Sequence, residues 1–269
     1  MGRSFRSVAS GFRCPEWVAA IPIAESSSFD TSAYRQATYG APDYYCDCTR
    51  SLASTTAVDL GTASAGDLVV CQTAWYFSAF SSLTDSAGGN TWTQVGNEET
   101  VGLIEGRTYY SALTTGGASF TVTLTVADAN AYPGLACSRS NGTTGWTLDR
   151  TAVTSTATTA TSGTSGVTLP RSSADQWLIG TMFTNYSTCC VALGAGSNIA
   201  WVLDAEFENF TADGIPMLIE HVGVASSGTD AATWTSDAAM GSSTRILTFS
   251  YETEATAGAV RVRITGGPE

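Results

Sequence analysis

Three acids alternate through "LDAEFENF" at Asp204, Glu206 and Glu208. A period of two puts them on one face of a strand, where a carboxylate pair could hydrolyse a glycoside or a set of oxygens could hold calcium. A solvated acidic strand face accounts for the same spacing without chemistry and is the simpler reading. The single histidine, His221, lies inside "PMLIEHVGVA", so any Ser-His-Asp or Cys-His mechanism would rest on a residue set in a strand. A strand histidine with its hydrogen bonds made fits that setting better than a catalytic base. Cys46, Cys48, Cys189 and Cys190 are the one conceivable soft-metal set, but C-x-C and C-C are not the C-x-x-C clamp of zinc sites. Asp85 and Asn90 could offer calcium their loop oxygens and read more simply as turn residues. No G-x-S-x-G elbow, Walker loop or dinucleotide fingerprint occurs, and the Gly-rich stretches precede strands, which removes the helix amino terminus that phosphate binding uses. The sequons at Asn141, Asn185 and Asn209 matter only on a eukaryotic secretory route. On this reading there is no catalytic residue, no metal ligand and no cofactor.

The elements that would hold these residues are strands. Thr, Ser, Gly and Ala dominate the 269 residues, charged residues make up 13%, and long amphipathic periods are missing, which favours sheets and turns over helices. "GDLVVCQTAWYF" reads as a continuous apolar strand, "NTWTQV" as an alternating one, and "SFTVTLTVA" puts Phe120, Val122, Leu124 and Val126 on one face with Thr on the other. "RTYYSALTTGGASF" supplies a strand and, at Gly116 and Gly117, a hairpin signal. "YPGLACSR" is a further strand, with Pro133 placed at an edge. The stretch "TDSAGGNTWTQV" reads as a turn whose Asp85 and Asn90 bond their own backbone and whose Trp92 anchors the returning strand. A weaker echo, "GAGSNIAWVL", offers Asn198 and Trp201 for the same job. With "SADQWLIGTMFT", "AATWTSD" and "RILTFSYE" following, the order of the first half is replayed. The pattern predicts one β-sandwich domain over 62–269, with two pseudo-repeated halves at about 62–139 and 165–252 packed as two facing sheets.

Residues 1–61 carry no sustained period and are expected to form an extended arm that becomes ordered against the body or a neighbouring subunit. Its aromatic and basic residues, Arg3, Phe5, Arg6, Phe12, Arg13, Trp17 and Tyr34, are the candidate interface. All 12 basic residues are Arg, and with 24 acids the net charge of -12 argues against a nucleic-acid surface. "WVAAIPIA" is too short and interrupted for a signal core or a membrane span. Seven cysteines are an odd number in a chain too large to need staples, so Cys71 and Cys137, inside apolar runs, are expected to be free buried thiols in a protein made in a reducing cytoplasm.

The succession "SAGDLVVCQTAW", "SLTDSAGGNTWTQV", "RTYYSAL" and "SFTVTLTVA" resembles a β-sandwich domain found in bacteriophage structural genes and some bacterial surface proteins. The resemblance runs over roughly 62–252, with one extra Gly in the turn and no counterpart for 1–61. It implies a jelly-roll-like sandwich in a virion or cell-surface setting and carries no catalytic residues. The expected function is that of a non-enzymatic capsid decoration or cement protein, assembled in the host cytoplasm. Its partners would be the major capsid protein or other virion proteins and copies of itself, a trimer among the possible symmetries, with no nucleic acid and no membrane. The alternative is a tail or vertex module that binds carbohydrate or a receptor by stacking sugars on Trp75, Tyr76, Tyr109 or Tyr110. A hydrolase built on Asp204, Glu206 or Glu208 fits least.

Overall fold

The computed structural model describes residues 48–50, 54–128, 131–140, 146–168, 170, 176–185, 191–193, 202–207, 215, 217–224 and 228–250. Every element of regular structure among them is a strand: β1 (Cys48–Arg50), β2 (Thr55–Asp59), β3 (Leu68–Tyr76), β4 (Phe80–Asp85), β5 (Thr93–Val101), β6 (Ile104–Ala112), β7 (Thr121–Val126), β8 (Gly134–Ser140), β9 (Thr147–Thr164), β10 (Gln176–Thr184), β11 (Val191–Leu193), β12 (Val202–Phe207), β13 (Met217–Val224) and β14 (Thr233–Ser250). They pair antiparallel into three sheets. A central sheet runs β1-β8-β3-β6-β5, a small sheet β2-β7-β4, and a large sheet β11-β14-β10-β13-β12, with β9 on the flank of β14. The all-β antiparallel class is the one the sequence indicates, but the sheets number three where two were expected.

The patterning explains the layers. Leu68 to Trp75 are buried without interruption because the central sheet is covered on both faces, which turns a strand into a continuous apolar run. Val69, Cys71 and Trp75 meet Val58, Val122 and Leu124 of the small sheet. Leu68, Val70 and Ala74 face the other way, toward Ile179, Phe183, Ile219 and Leu247 of the large sheet. By contrast β7 alternates, because its Thr side looks away from the core. Polar joints bind the central and large sheets as well. Thr108 donates to Gln72 Oε1 at 2.8 Å and lies 3.4 Å from the Thr181 hydroxyl. Arg245 of β14 reaches across to donate to the Val95 and Asn97 carbonyls and to Glu99 Oε1, a buried ion pair at 2.8 Å. The receiving segment is a bulge in β5 between Val95 and Glu99, where Gly96 has φ +67° and brings the backbone up to the guanidinium.

The pair β9 and β14 forms an 18-residue ribbon with register shifts between Thr235 and Ser242. Those bulges bend β14 so sharply that Trp234 Nε1 donates to Thr244 Oγ1 of the same strand at 3.0 Å. The bend brings Ala232 onto Leu178, Val222 and Ile246, which covers part of the outer face of the large sheet.

Four expectations change. Gly116 and Gly117 do not close a hairpin: β6 belongs to the central sheet and β7 to the small one, so the connection crosses between layers. Gly117 bridges to Ala63, and a Cβ on Gly116 would stand 2.1 Å from the Ala63 carbonyl, so a close backbone approach fixes that glycine. The body begins before Thr62, because β1 pairs with β8, β2 pairs with β7, and Val58 and Leu60 are fully buried. Pro133 precedes β8, an inner strand, rather than sitting on an edge. Cys71 and Cys137, expected as free thiols, face each other across β3 and β8 and are joined in a disulfide. With a sequence separation of 66, the link limits the unfolded chain by about 4 kcal/mol on the chain-entropy account. Among the described residues, 54–140 supply the small sheet and nearly all of the central one, and 147–250 supply the large sheet.

Candidate contact surface

The residues with chemical potential are separated by the fold. His221 is 2% exposed on β13, turned into the layer between the central and large sheets with its ring 4.9 Å from Trp177. Asp204 and Glu206 are on β12, whose pairing with β13 shifts register between Leu203 and Ala205. Glu208 lies outside the described residues, as do Asn198, Trp201, Cys46, Cys189, Cys190 and the arm residues Arg3, Phe5, Arg6, Phe12, Arg13, Trp17 and Tyr34. Of the sequons only Asn185 is described. Its side-chain oxygen accepts from Gly241 N–H at 2.9 Å, and its Nδ2 packs on Gly102.

Asp85, Asn90 and Trp92 form the corner by which the chain leaves the small sheet at β4 and enters the central sheet at β5. Asp85 Oδ1 accepts from the Ala87 and Gly88 amides and from Asn90 Nδ2, and its Oδ2 accepts from Trp92 Nε1 at 2.9 Å. Asn90 Oδ1 accepts in turn from the Thr114 and Thr115 amides in the neighbouring crossing. The Asp85 carboxylate is thus committed to N–H donors that a cation would have to displace. The corner holds two layer crossings together. Gly88 and Gly89, both at positive φ, meet nothing within 4 Å on the side where a Cβ would point.

Of the four aromatics considered as sugar platforms, three are structural. Trp75 is fully buried, Tyr109 is buried, and Tyr110 packs edge-on against Phe249 at 5.2 Å. Trp75 Nε1 donates to the Ser78 carbonyl and to Glu105 Oε2, each at 2.9 Å. Next to it Arg107 stacks on Phe80 at 4.5 Å and is held by Glu98 and the Tyr109 hydroxyl. Burial pushes the Tyr109 hydroxyl above its ordinary range, against the lowering effect of Arg107.

Tyr76 differs. At the end of the central sheet away from the Asp85 corner, Tyr76 is 40% exposed, Phe77 73% and Leu103 53%. Phe77 N–H donates to the Leu103 carbonyl at 3.0 Å, which ties the end of β3 to the β5–β6 hairpin. That hairpin has two residues, Gly102 at φ +64° and Leu103 on the ordinary side, as a type II′ turn requires. Phe77 itself has φ +35°, and Tyr132, just before β8, has φ +48°. These are the two positive-φ residues other than glycine among those described, and both are aromatic. Such backbone costs roughly 1–3 kcal/mol per residue and persists where the surroundings impose it, often at contact sites. The sequence gives a faint signal for the rim: an apolar residue at the second turn position of "VGLI" has nowhere to be buried. Nothing local flags Phe77.

Phe77→Gly relieves its strain and gives up little packing, so thermal unfolding is expected at the same temperature or higher. A lower midpoint would show that Phe77 supports the fold. Compared with protein-family models, with curated proteins and with solved structures, the chain matches none.

Proposed function

We propose that this chain is a non-enzymatic bacteriophage virion structural protein, a decoration or cement protein that binds the outside of the capsid and stabilises the shell by contact. In this reading the layered body is a jelly-roll-like platform and the segment before Cys48 is an arm that buries Phe5, Phe12, Trp17 and Tyr34 against neighbours, with Arg3, Arg6 and Arg13 seeking acidic surface. The partners are the major capsid protein or other virion proteins and further copies of the chain, met in the host cytoplasm during assembly. The observation that carries the reading is the rim of Tyr76, Phe77 and Leu103, three of the four exposed large apolar side chains among the described residues, the fourth being Val167. Area buried at many such contacts, each weak, would resist expansion of the shell.

A second reading is favoured by the same aromatics. Tyr76 and Phe77 at the tip of a rigid sheet could stack on a saccharide, which would make the chain a tail or vertex receptor-binding module. Mass spectrometry of purified particles distinguishes the two. A cement protein is present in hundreds of copies, a tail or vertex module in a handful, and absence from particles ends both readings. Deleting residues 1–47 is expected to leave a folded body that no longer joins its particle, measured by circular dichroism and co-sedimentation. The cut must stop there, since β1 begins at Cys48 and Ser54 accepts from Val126 N–H. Normal incorporation of the truncated chain would remove the arm from the proposal.

A further inference from the structure

Cys71 and Cys137 have no exposed surface, and they lie on the face of the central sheet that the small sheet covers, in one cluster with Trp75, Leu83, Val122 and Leu124. Thiol–disulfide exchange needs a thiolate to approach a sulfur directly, and in the packed body that approach is filled by side chains. We infer that the pair is a redox lock gated by the small sheet: its bond exchanges with external thiols only when β2, β7 and β4 lift away from β3 and β8. The chemistry is ordinary exchange. A dithiothreitol thiolate attacks one cysteine sulfur, the protein S–S bond breaks, the other cysteine leaves as a thiolate, and a mixed disulfide forms. The second reagent thiol then displaces the attached sulfur, leaving both cysteines reduced and the reagent as its cyclic disulfide. Lifting the small sheet exposes Val58, Phe120, Val122 and Leu124 together, so the open form is rare. The redox state set when the layers close is therefore retained afterwards, whatever the surroundings become.

The test uses the full chain isolated under oxidising conditions, incubated with dithiothreitol in native buffer, quenched by alkylation and read by peptide mass. The Cys71–Cys137 link is expected to survive in native buffer and to reduce rapidly once urea unfolds the chain. Leu124→Ala, which opens a cavity under the small sheet, is expected to speed native reduction by at least about tenfold. Val122→Ala, a smaller deletion, gives the same direction if the first variant folds poorly. Ile219→Ala removes similar volume from the other layer and is expected to leave the rate unchanged. Three results each overturn the inference: native reduction as fast as in urea, equal acceleration by Leu124→Ala and Ile219→Ala, or two free thiols in the oxidised preparation.

Discussion

Arg245→Met is expected to lower the stability of the body by about 3–5 kcal/mol, the usual cost of removing one partner from a buried ion pair. The side chains of Arg245 and Glu99 are 4% and 12% exposed. Methionine fills much of the space but leaves the Glu99 carboxylate buried without its cation, and it abandons the Val95 and Asn97 carbonyls at the β5 bulge. The loss depends on pH in a direction that can be worked out. Burial raises the Glu99 carboxyl above its ordinary value, and the attraction and hydrogen bond of Arg245 only partly offset it. A raised folded value means that the folded chain holds its proton longer than the unfolded chain. The Glu99 contribution is therefore most favourable below the ordinary carboxylate range and is lost as pH rises through the raised value. Without Arg245 that value climbs further, and acid neutralises the orphaned charge. Urea titrations should show the Arg245→Met deficit shrinking between pH 7.5 and 5. In Glu99→Gln, which has no charge to strand, the effect of adding Arg245→Met should be smaller and independent of pH. A deficit that is the same at both pH values would show that Arg245 acts by packing alone.

Trp75→Ala should cost about 3–5 kcal/mol, while its neighbour Tyr76→Ala should cost little. Trp75 is a fully buried member of the cluster between the central and small sheets, lies tilted against Phe80 with ring centres 5.7 Å apart, and carries one of the layer's hydrogen bonds to Glu105. Its removal leaves a cavity and a carboxylate stripped of a donor. Tyr76 ends the same strand and is 40% exposed. Differential scanning calorimetry separates the two roles: a lowered midpoint for Trp75→Ala with an unchanged one for Tyr76→Ala. On the proposed function, binding to particles or to a glycan array should respond in the opposite order, with Tyr76→Ala the damaging change. If Trp75→Ala kept its stability and lost binding, the residue would be a ligand platform after all.

Local pattern made the strands legible and left their partners dark. The unbroken apolar run at Leu68–Trp75 and the alternation of Thr121–Val126 can be read residue by residue, because burial on two faces and on one face write different periods. Sheet membership has no such signature. The two glycines at Gly116 and Gly117 fit a hairpin and a crossing between layers equally well, since turn chemistry fixes φ and says nothing about which sheet receives the next strand. The Cys71–Cys137 link escaped for the same reason: two apolar strands each containing one cysteine become a bonded pair only when the register is known. Arg245 and Glu99 are 146 residues apart, and no local motif announces their meeting. At the rim the sequence offered Tyr76 together with Trp75, Tyr109 and Tyr110 and did not distinguish among the four. The decisive features there, Phe77 at positive φ and Leu103 in a two-residue turn, are properties of backbone geometry. The Asp85 corner was the easier case, because Asp, Gly and Asn in short order bond mainly to their own loop.

The double covering of the central sheet limits how this chain can be cut and recombined. A fragment ending at Ser140 would keep the small sheet but leave Leu68, Val70, Ala74 and Ile104 bare, and one starting at Thr147 would bare Ile179, Phe183 and Leu247. Neither piece could travel through gene shuffling as an independent module. Among the described residues, the unit that covers the central sheet on both faces is the whole three-layer stack.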